Sequence, residues 1–217
     1  MSSPALSPTP ENVQTVANCI RNGGVVVAPS DTNMALTVAP DQPDAIDRVY
    51  AIKDRPTHKP LTLFVRDPRD WRRFARDDDP ETVDALAEAF WPGPLNLVLE
   101  RDSPGLDDRC AMDGTVSVSC LANPVWCELA DAVGGPVAMT SANQSGTVPD
   151  DRLVDVELAA DHVGEAADYI LGGEPAGTTR ASTILSLAAG ESGEARMLRR
   201  GDLTASDIER ATSLTVD

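Results

Sequence analysis

Only two lysines occur in this 217-residue chain, Lys53 and Lys59, and they stand six residues apart. The other 16 basic residues are arginines (18 − 2), spread along the sequence. Arg55, Pro56 and His58 lie between the two lysines, and Pro60 follows the second. Lysine is a compact, strongly hydrated point charge suited to phosphates, and arginine offers a planar fork that grips two oxygens at once. Spaced this way, the segment reads as an anion clamp. A solvated basic loop is the alternative.

Four other segments carry residue types that could build a site. Pro29-Ser30-Asp31-Thr32 ends an apolar run, and its hydroxyls and carboxylate can orient a small ligand or a metal. The same residues also bond their own backbone and make turns. Trp91-Pro92-Gly93-Pro94 reads as a rigid structural turn. Thr140-Ser141-Ala142-Asn143-Gln144-Ser145-Gly146 combines hydroxyls, an amide and a glycine, which lets backbone N–H groups approach an anion. Leu198-Arg199-Arg200-Gly201 is a tight turn able to aim an arginine inward. Walker-type and dinucleotide-type glycine patterns are absent, and no general base stands out. Cations, hydroxyls and an amide act mainly by binding and orienting a phosphate reaction.

The elements that must position these groups alternate along the chain. Apolar periodicity and breakers predict helices over 13–21, from Pro43 to about 52, from Pro80 to 90, and from Pro124 to about 133. Runs rich in β-branched residues predict strands at 25–28, 35–38, 61–65, 95–99, 116–119 and 137–139. A further helix and strands near 169, 183–187 and 196–198 follow, then a capping box at Thr204 to Asp207. The expected fold is α/β (α+β): one domain over 11–212, a twisted mixed sheet flanked by helices with a concave basic cleft. Flexible tails are expected at 1–10 and 213–217.

Composition narrows the function. The formal charge is −17, which repels nucleic acid and anionic membranes unless a local patch overrides it. No apolar run is long enough to span a bilayer, and the N-terminus lacks a secretory pattern. Cys19, Cys110, Cys120 and Cys127 show no C-x-x-C spacing and read as reduced thiols of a cytoplasmic protein. His58 and His162 lack cysteines at metal-ligand spacing, so a zinc site is not expected. The acid excess with few lysines suits work in high salt.

Taken in order, these segments resemble the YrdC family, the L-threonylcarbamoyladenylate synthases, over about 13–211 of the chain. The K-x-R at Lys53 and Arg55 and the S-x-N at Ser141 and Asn143 carry most of the likeness. The resemblance implies a nucleotidyltransferase. L-threonine and bicarbonate form a carbamate that attacks ATP, with Mg²⁺ assisting, and the threonylcarbamoyl-AMP passes to a complex that modifies adenosine 37 of tRNA. It implies that Lys53 and Arg55 are catalytic, and that Arg55, Lys59, Thr115, Ser141, Asn143, Ser182 and Arg199 bind ATP. Thr32 would contact threonine. No metal-ligating residue is implied.

Departures cluster on the amino-acid side. The family's T-D-T-V-Y-G-L reads Ser30-Asp31-Thr32-Asn33-Met34-Ala35-Leu36, losing its tyrosine and glycine. Its V-R-x-P reads Val118-Ser119-Cys120-Leu121, losing an arginine. A histidine is replaced by Phe64, and a serine by Pro149. Two other functions therefore stay open: a paralogue that binds nucleotide with another substrate or no turnover, and a non-enzymatic nucleotide- or RNA-binding module. As exposed site residues, Lys53 and Arg55 are expected to contribute little to stability.

Overall fold

The computed structural model describes residues 5–149, 152–173, 177–188 and 194–217. The expected tail over residues 1–4 and the acidic pair at 150 and 151 lie outside them. In chain order the elements are β1 (Ala5–Leu6), α1 (Pro10–Arg21), β2 (Val26–Pro29), β3 (Met34–Val38), α2 (Pro43–Lys53), β4 (Thr62–Phe64) and β5 (Ala75–Arg76). Then come α3 (Pro80–Phe90), β6 (Leu95–Arg101), β7 (Ala111–Met112), β8 (Thr115–Ser119), α4 (Pro124–Val133), β9 (Val137–Ser141) and α5 (Val156–Val163). β10 (Tyr169–Leu171), β11 (Thr183–Ser186), β12 (Glu194–Arg199), α6 (Ala205–Ala211) and β13 (Thr215–Val216) complete the chain.

Local chemistry explains the helix starts. Pro10, Pro43, Pro80 and Pro124 each open a helix, where a missing N–H is no loss. Thr9, Asp79 and Asn123 accept backbone N–H groups as N-caps. The expected capping box is present, with Thr204 and Asp207 bonding reciprocally. The expected tails need correcting. Ala5 and Leu6 pair in parallel with Ile170 and Leu171, and Thr215 and Val216 pair with Glu194 and Ala195. Two-residue edge strands are too short for periodicity to reveal, and pairing with distant partners makes them.

The path through the sheet runs β1-β10-β2-β3-β9-β4-β8-β6-β11-β12-β13, with β5 on β6 and β7 on β8. Parallel and antiparallel pairs alternate irregularly along it, which makes the sheet mixed, as expected. Side-chain alternation then decides the layers. On one face Leu36, Leu63, Leu95, Leu97, Val118 and Leu185 join Ile46, Val49, Leu86 and Trp71 in the larger core. On the other face α1 and α4 cover β10, β2, β3, β9 and the end of β4 at Phe64, through Val16, Ile20, Trp126 and Leu129. Beyond them the same face presents Thr62, Ser117, Asn96, Val98 and Ile184 to a cavity instead of to a helix. The half-covered face is what makes room for a site.

Candidate functional site

A cavity of about 480 Å³ sits on that bare face. Lys53, Arg55, Lys59, Ser141, Asn143, Ser182, Arg199 and Thr32 all line it, brought together from five separate stretches of chain. Of the expected site residues, Thr115 alone is not among its lining. It lies two residues along β8 from Ser117, and its hydroxyl donates to the Met112 carbonyl.

Lys53 is not the exposed cation its loop-like flanks suggest. On α2 the buried positions are Ala45, Ile46, Val49, Tyr50 and Lys53, so the lysine continues the apolar stripe of its helix. It is 1% exposed. Its ammonium donates to the carbonyls of Ser141 and Asn143. Burial, with Arg55 nearby, pushes its pKa down to about 7. In return, the Ser145 N–H donates to the Lys53 carbonyl (3.0 Å), and the Gln144 side chain donates to the Ile52 carbonyl (2.9 Å). The last carbonyls of α2, which lack partners within the helix, are thus satisfied by the 141–146 loop. Lys53 is the staple between helix and loop, and the premise that it is an exposed residue is wrong.

Arg55 shapes the other rim. Its Nε donates to the Lys59 carbonyl (2.8 Å), Nη2 to the Pro60 carbonyl (2.8 Å) and Nη1 to the Thr140 hydroxyl (3.1 Å). Tyr50 reinforces the loop by donating to the same Lys59 carbonyl at 2.8 Å. Three of the five guanidinium N–H groups are engaged this way, and the Tyr50 hydroxyl bonds to the same guanidinium. Lys59 and His58 are exposed at the cavity mouth. Opposite them, Arg199 donates from Nε to the Ser182 carbonyl at 2.8 Å. The turn behind Arg199 needs glycine, because a Cβ on Gly201 would collide with the Ala181 carbonyl and the Thr183 N–H.

The segment from Ser30 to Asn33 turns out to do two jobs. Ser30 Oγ donates to the Asn33 carbonyl (2.7 Å) and accepts from the Thr32 and Asn33 N–H groups. This turn sets Thr32 against Ser182, with hydroxyl oxygens 3.4 Å apart. Asp31 points away from the cavity. It is 1% exposed and accepts the N–H groups of Ala122 and Asn123 at 2.7–3.0 Å, anchoring the start of α4. Burial pushes its carboxyl up from the usual range, although the two N–H groups pull the other way. Asp31→Ala leaves the buried Asn123 N–H and the partly buried Ala122 N–H unpaired. It is expected to cost about 2–3 kcal/mol, or roughly 4–12 °C in Tm, in a thermal melt. An unchanged melting temperature would contradict this role.

Several lining residues escaped the sequence reading. Arg152, in the segment before α5, adds an exposed guanidinium to the cavity. Asn33, Thr62, Asn96, Ser117, Thr140 and Ser145 add neutral polar groups. For Thr62, Asn96 and Ser117 the signal was available: they are polar residues at alternate positions of otherwise apolar strands. The substituted motif positions are also placed. Met34 is fully buried in the larger core, away from the cavity. Ser119 is buried and donates to the Leu95 carbonyl at 2.7 Å. Phe64 lines the cavity and packs edge-on against Trp126, with centroids 6.3 Å apart. Pro149 lies on the rim.

The fold and cavity define a mixed-sheet α/β domain whose ligand face is the uncovered half of the sheet. The chain belongs to the Sua5/YciO/YrdC family, whose model, described as telomere recombination, matches residues 18–201. It is 30% identical to the threonylcarbamoyl-AMP synthase of Halorhodospira halophila over 81% of this chain and 90% of that one. It is also 30% identical to the threonylcarbamoyl-AMP synthase of Bacillus subtilis, over 94% of this chain and 57% of that one. P. abyssi Sua5 complexed with L-threonine superposes with a TM-score of 0.87 at 26% identity, over 99% of this chain and 63% of that one. The chain thus spans about three fifths of Sua5. E. coli YciO matches in fold, with a TM-score of 0.80 at 20% identity over 95% of this chain and 99% of that one.

Proposed function

We propose that this chain is a nucleotidyltransferase that forms L-threonylcarbamoyl-AMP from L-threonine, bicarbonate and ATP, for modification of adenosine 37 of tRNA. One observation carries the proposal. Lys53, Arg55, Lys59, Arg152 and Arg199 line one cavity, and among the described residues no Asp or Glu does, in a chain of formal charge −17. Such a cavity suits a polyanion, and the relatives named threonylcarbamoyl-AMP synthase support reading that polyanion as ATP. The threonine amine takes up bicarbonate to give a carbamate and water. A carbamate oxygen attacks the α-phosphate of ATP, and pyrophosphate leaves. Fixed cations offset the repulsion between two anions and hold them in line, which is where the rate gain arises.

Mg²⁺ enters as the counterion of the triphosphate. Among the described residues no group of three His, Cys, Asp or Glu side chains could hold it alone. Arg55 and Lys59 on one rim and Arg199 on the other are assigned to ATP, together with Ser141, Asn143 and Ser182. Lys53 sits nearest the loop that would carry the phosphates, and Thr32 is assigned to threonine. Thr115 would have to act from beyond the cavity edge. The product would pass to a downstream tRNA-modifying complex in the cytoplasm. No helix among the described residues is long and apolar enough to cross a membrane.

A second reading has its own support. Ser119 and Phe64 stand where the family pattern has an arginine and a histidine, and both are committed to internal contacts. Losing a charge-assisted bond to a carboxylate weakens binding roughly ten- to a hundredfold. A substrate other than threonine is then the alternative. Incubation with MgATP, bicarbonate and each amino acid in turn, followed by pyrophosphate assay, separates the two. Threonine-dependent release is expected. Release with a different amino acid supports the second reading, and ATP binding with no release under any condition overturns both enzymatic readings.

A further inference from the structure

One peptide of the 141–146 loop is held at both ends. The Asn143 carbonyl accepts from the Lys53 ammonium. The N–H of the same peptide unit, carried by Gln144, donates to Nδ1 of His162 at 3.3 Å. A peptide unit is a rigid plane, so partners on its two ends fix its tilt. That tilt governs where the Asn143 side chain leaves the backbone. Asn143 is 6% exposed, lines the cavity and donates from Nδ2 to the Gln144 carbonyl at 2.8 Å. His162 itself lies outside the cavity lining.

The imidazole is well placed to serve as a fixed acceptor. It is half-buried near the end of α5, whose Ala159 and Val163 are buried in the larger core. A backbone N–H can only donate, so Nδ1 is the unprotonated ring nitrogen and Nε2 carries the hydrogen. The Thr147 hydroxyl lies 3.5 Å from the same nitrogen and donates to the Gln144 carbonyl at 2.7 Å. The loop is therefore braced from two helices: from α2 through Lys53, and from α5 through His162. We propose that His162 is a positioning residue for this loop, holding the Asn143–Gln144 peptide so that Asn143 and Lys53 keep the places from which they meet the triphosphate.

This rests on the nucleotidyltransferase reading proposed above. The test compares His162→Asn, whose side-chain oxygen takes the place of Nδ1, with His162→Leu, which has no acceptor. Pyrophosphate release with L-threonine and bicarbonate is measured as MgATP is varied, and hydrogen exchange of the Gln144 amide is followed on the same proteins. His162→Leu is expected to lower kcat/KM for MgATP about tenfold while KM for L-threonine stays within about twofold, because a small displacement of the phosphate-holding groups is costly. Its Gln144 amide should exchange about tenfold faster. His162→Asn is expected to stay within about threefold of the wild-type chain on both readouts. Equal losses in the two variants make His162 a packing residue and overturn the proposal, as do wild-type kinetics or wild-type exchange in His162→Leu. Should His162→Leu not fold, His162→Phe takes its place with the same criteria. If no amino acid supports pyrophosphate release, the enzymatic reading fails by itself, and calorimetric titration with MgATP decides this one. Binding about tenfold weaker in His162→Leu and restored in His162→Asn upholds it, and any other result overturns it.

Discussion

Lys53→Ala is expected to lose turnover about a hundredfold and to melt roughly 4–12 °C below the wild-type chain. Both effects have one origin. The substitution empties a fully buried position on α2 and removes the donor held by the Ser141 and Asn143 carbonyls. A cavity plus two unpaired acceptors costs about 2–3 kcal/mol, and an unanchored 141–146 loop misplaces any phosphate it carries. Lys53→Met keeps the stem and loses the ammonium, so it should fall about half as far in melting temperature with the same loss of turnover. Thermal melts and pyrophosphate assays on both variants check this. Full stability in Lys53→Ala would remove the stapling role.

The same lysine predicts a pH signature. Its folded pKa of about 7 lies below the usual 10.5, so its contribution to stability is complete above 10.5 and is lost as pH falls toward 7. The wild-type chain should therefore weaken relative to Lys53→Met over that window, with no further relative change below pH 6. A bound triphosphate favours the ammonium, so ATP binding near pH 7 should take up a fraction of a proton. Calorimetry in two buffers of different ionisation heat measures this uptake, and it should vanish in Lys53→Met.

Arg55→Ala is the second large effect, and it should divide differently. The guanidinium closes the 55–60 loop through the Lys59 and Pro60 carbonyls and reaches Thr140 across the cavity. Those acceptors lie at a partly exposed rim where water can replace the lost donor. Stability should fall by only about 1 kcal/mol. ATP affinity should fall ten- to a hundredfold, because the guanidinium charge and the placement of Lys59 go together. Titration of MgATP with melting curves on the same samples tests it. A large melting loss with unchanged affinity would make Arg55 a structural residue only.

The helices were legible because their causes are local. Asp79-Pro80, Asn123-Pro124 and the Thr204 box are start signals that work within one turn, and the structure has a helix at each. The central strands were legible for the same reason, since apolar runs between breakers need no partner to be recognised. Lys53 shows where the reading stopped short. Its charge type was noticed, yet its place three residues beyond Tyr50 on the buried stripe was overlooked, although the 3.6-residue period displays it. Asn96, Thr62 and Ser117 carried an equally plain signal as polar positions on one face of apolar strands.

By itself, the sequence determined which residues could hold an anion and which segments would be the helices and the central strands. Type, spacing and short-range bonding are written in neighbouring residues, and no distant contact can change them. Only the tertiary structure decided that five separated stretches share one cavity, and that Asp31 faces α4 instead. It also decided that residues 5–6 and 215–216 belong to the sheet. The physical reason is that α1 and α4 are too few to cover one face of so wide a sheet. Which strands lie under them and which stay bare depends on strand order, and strand order is settled by long-range pairing.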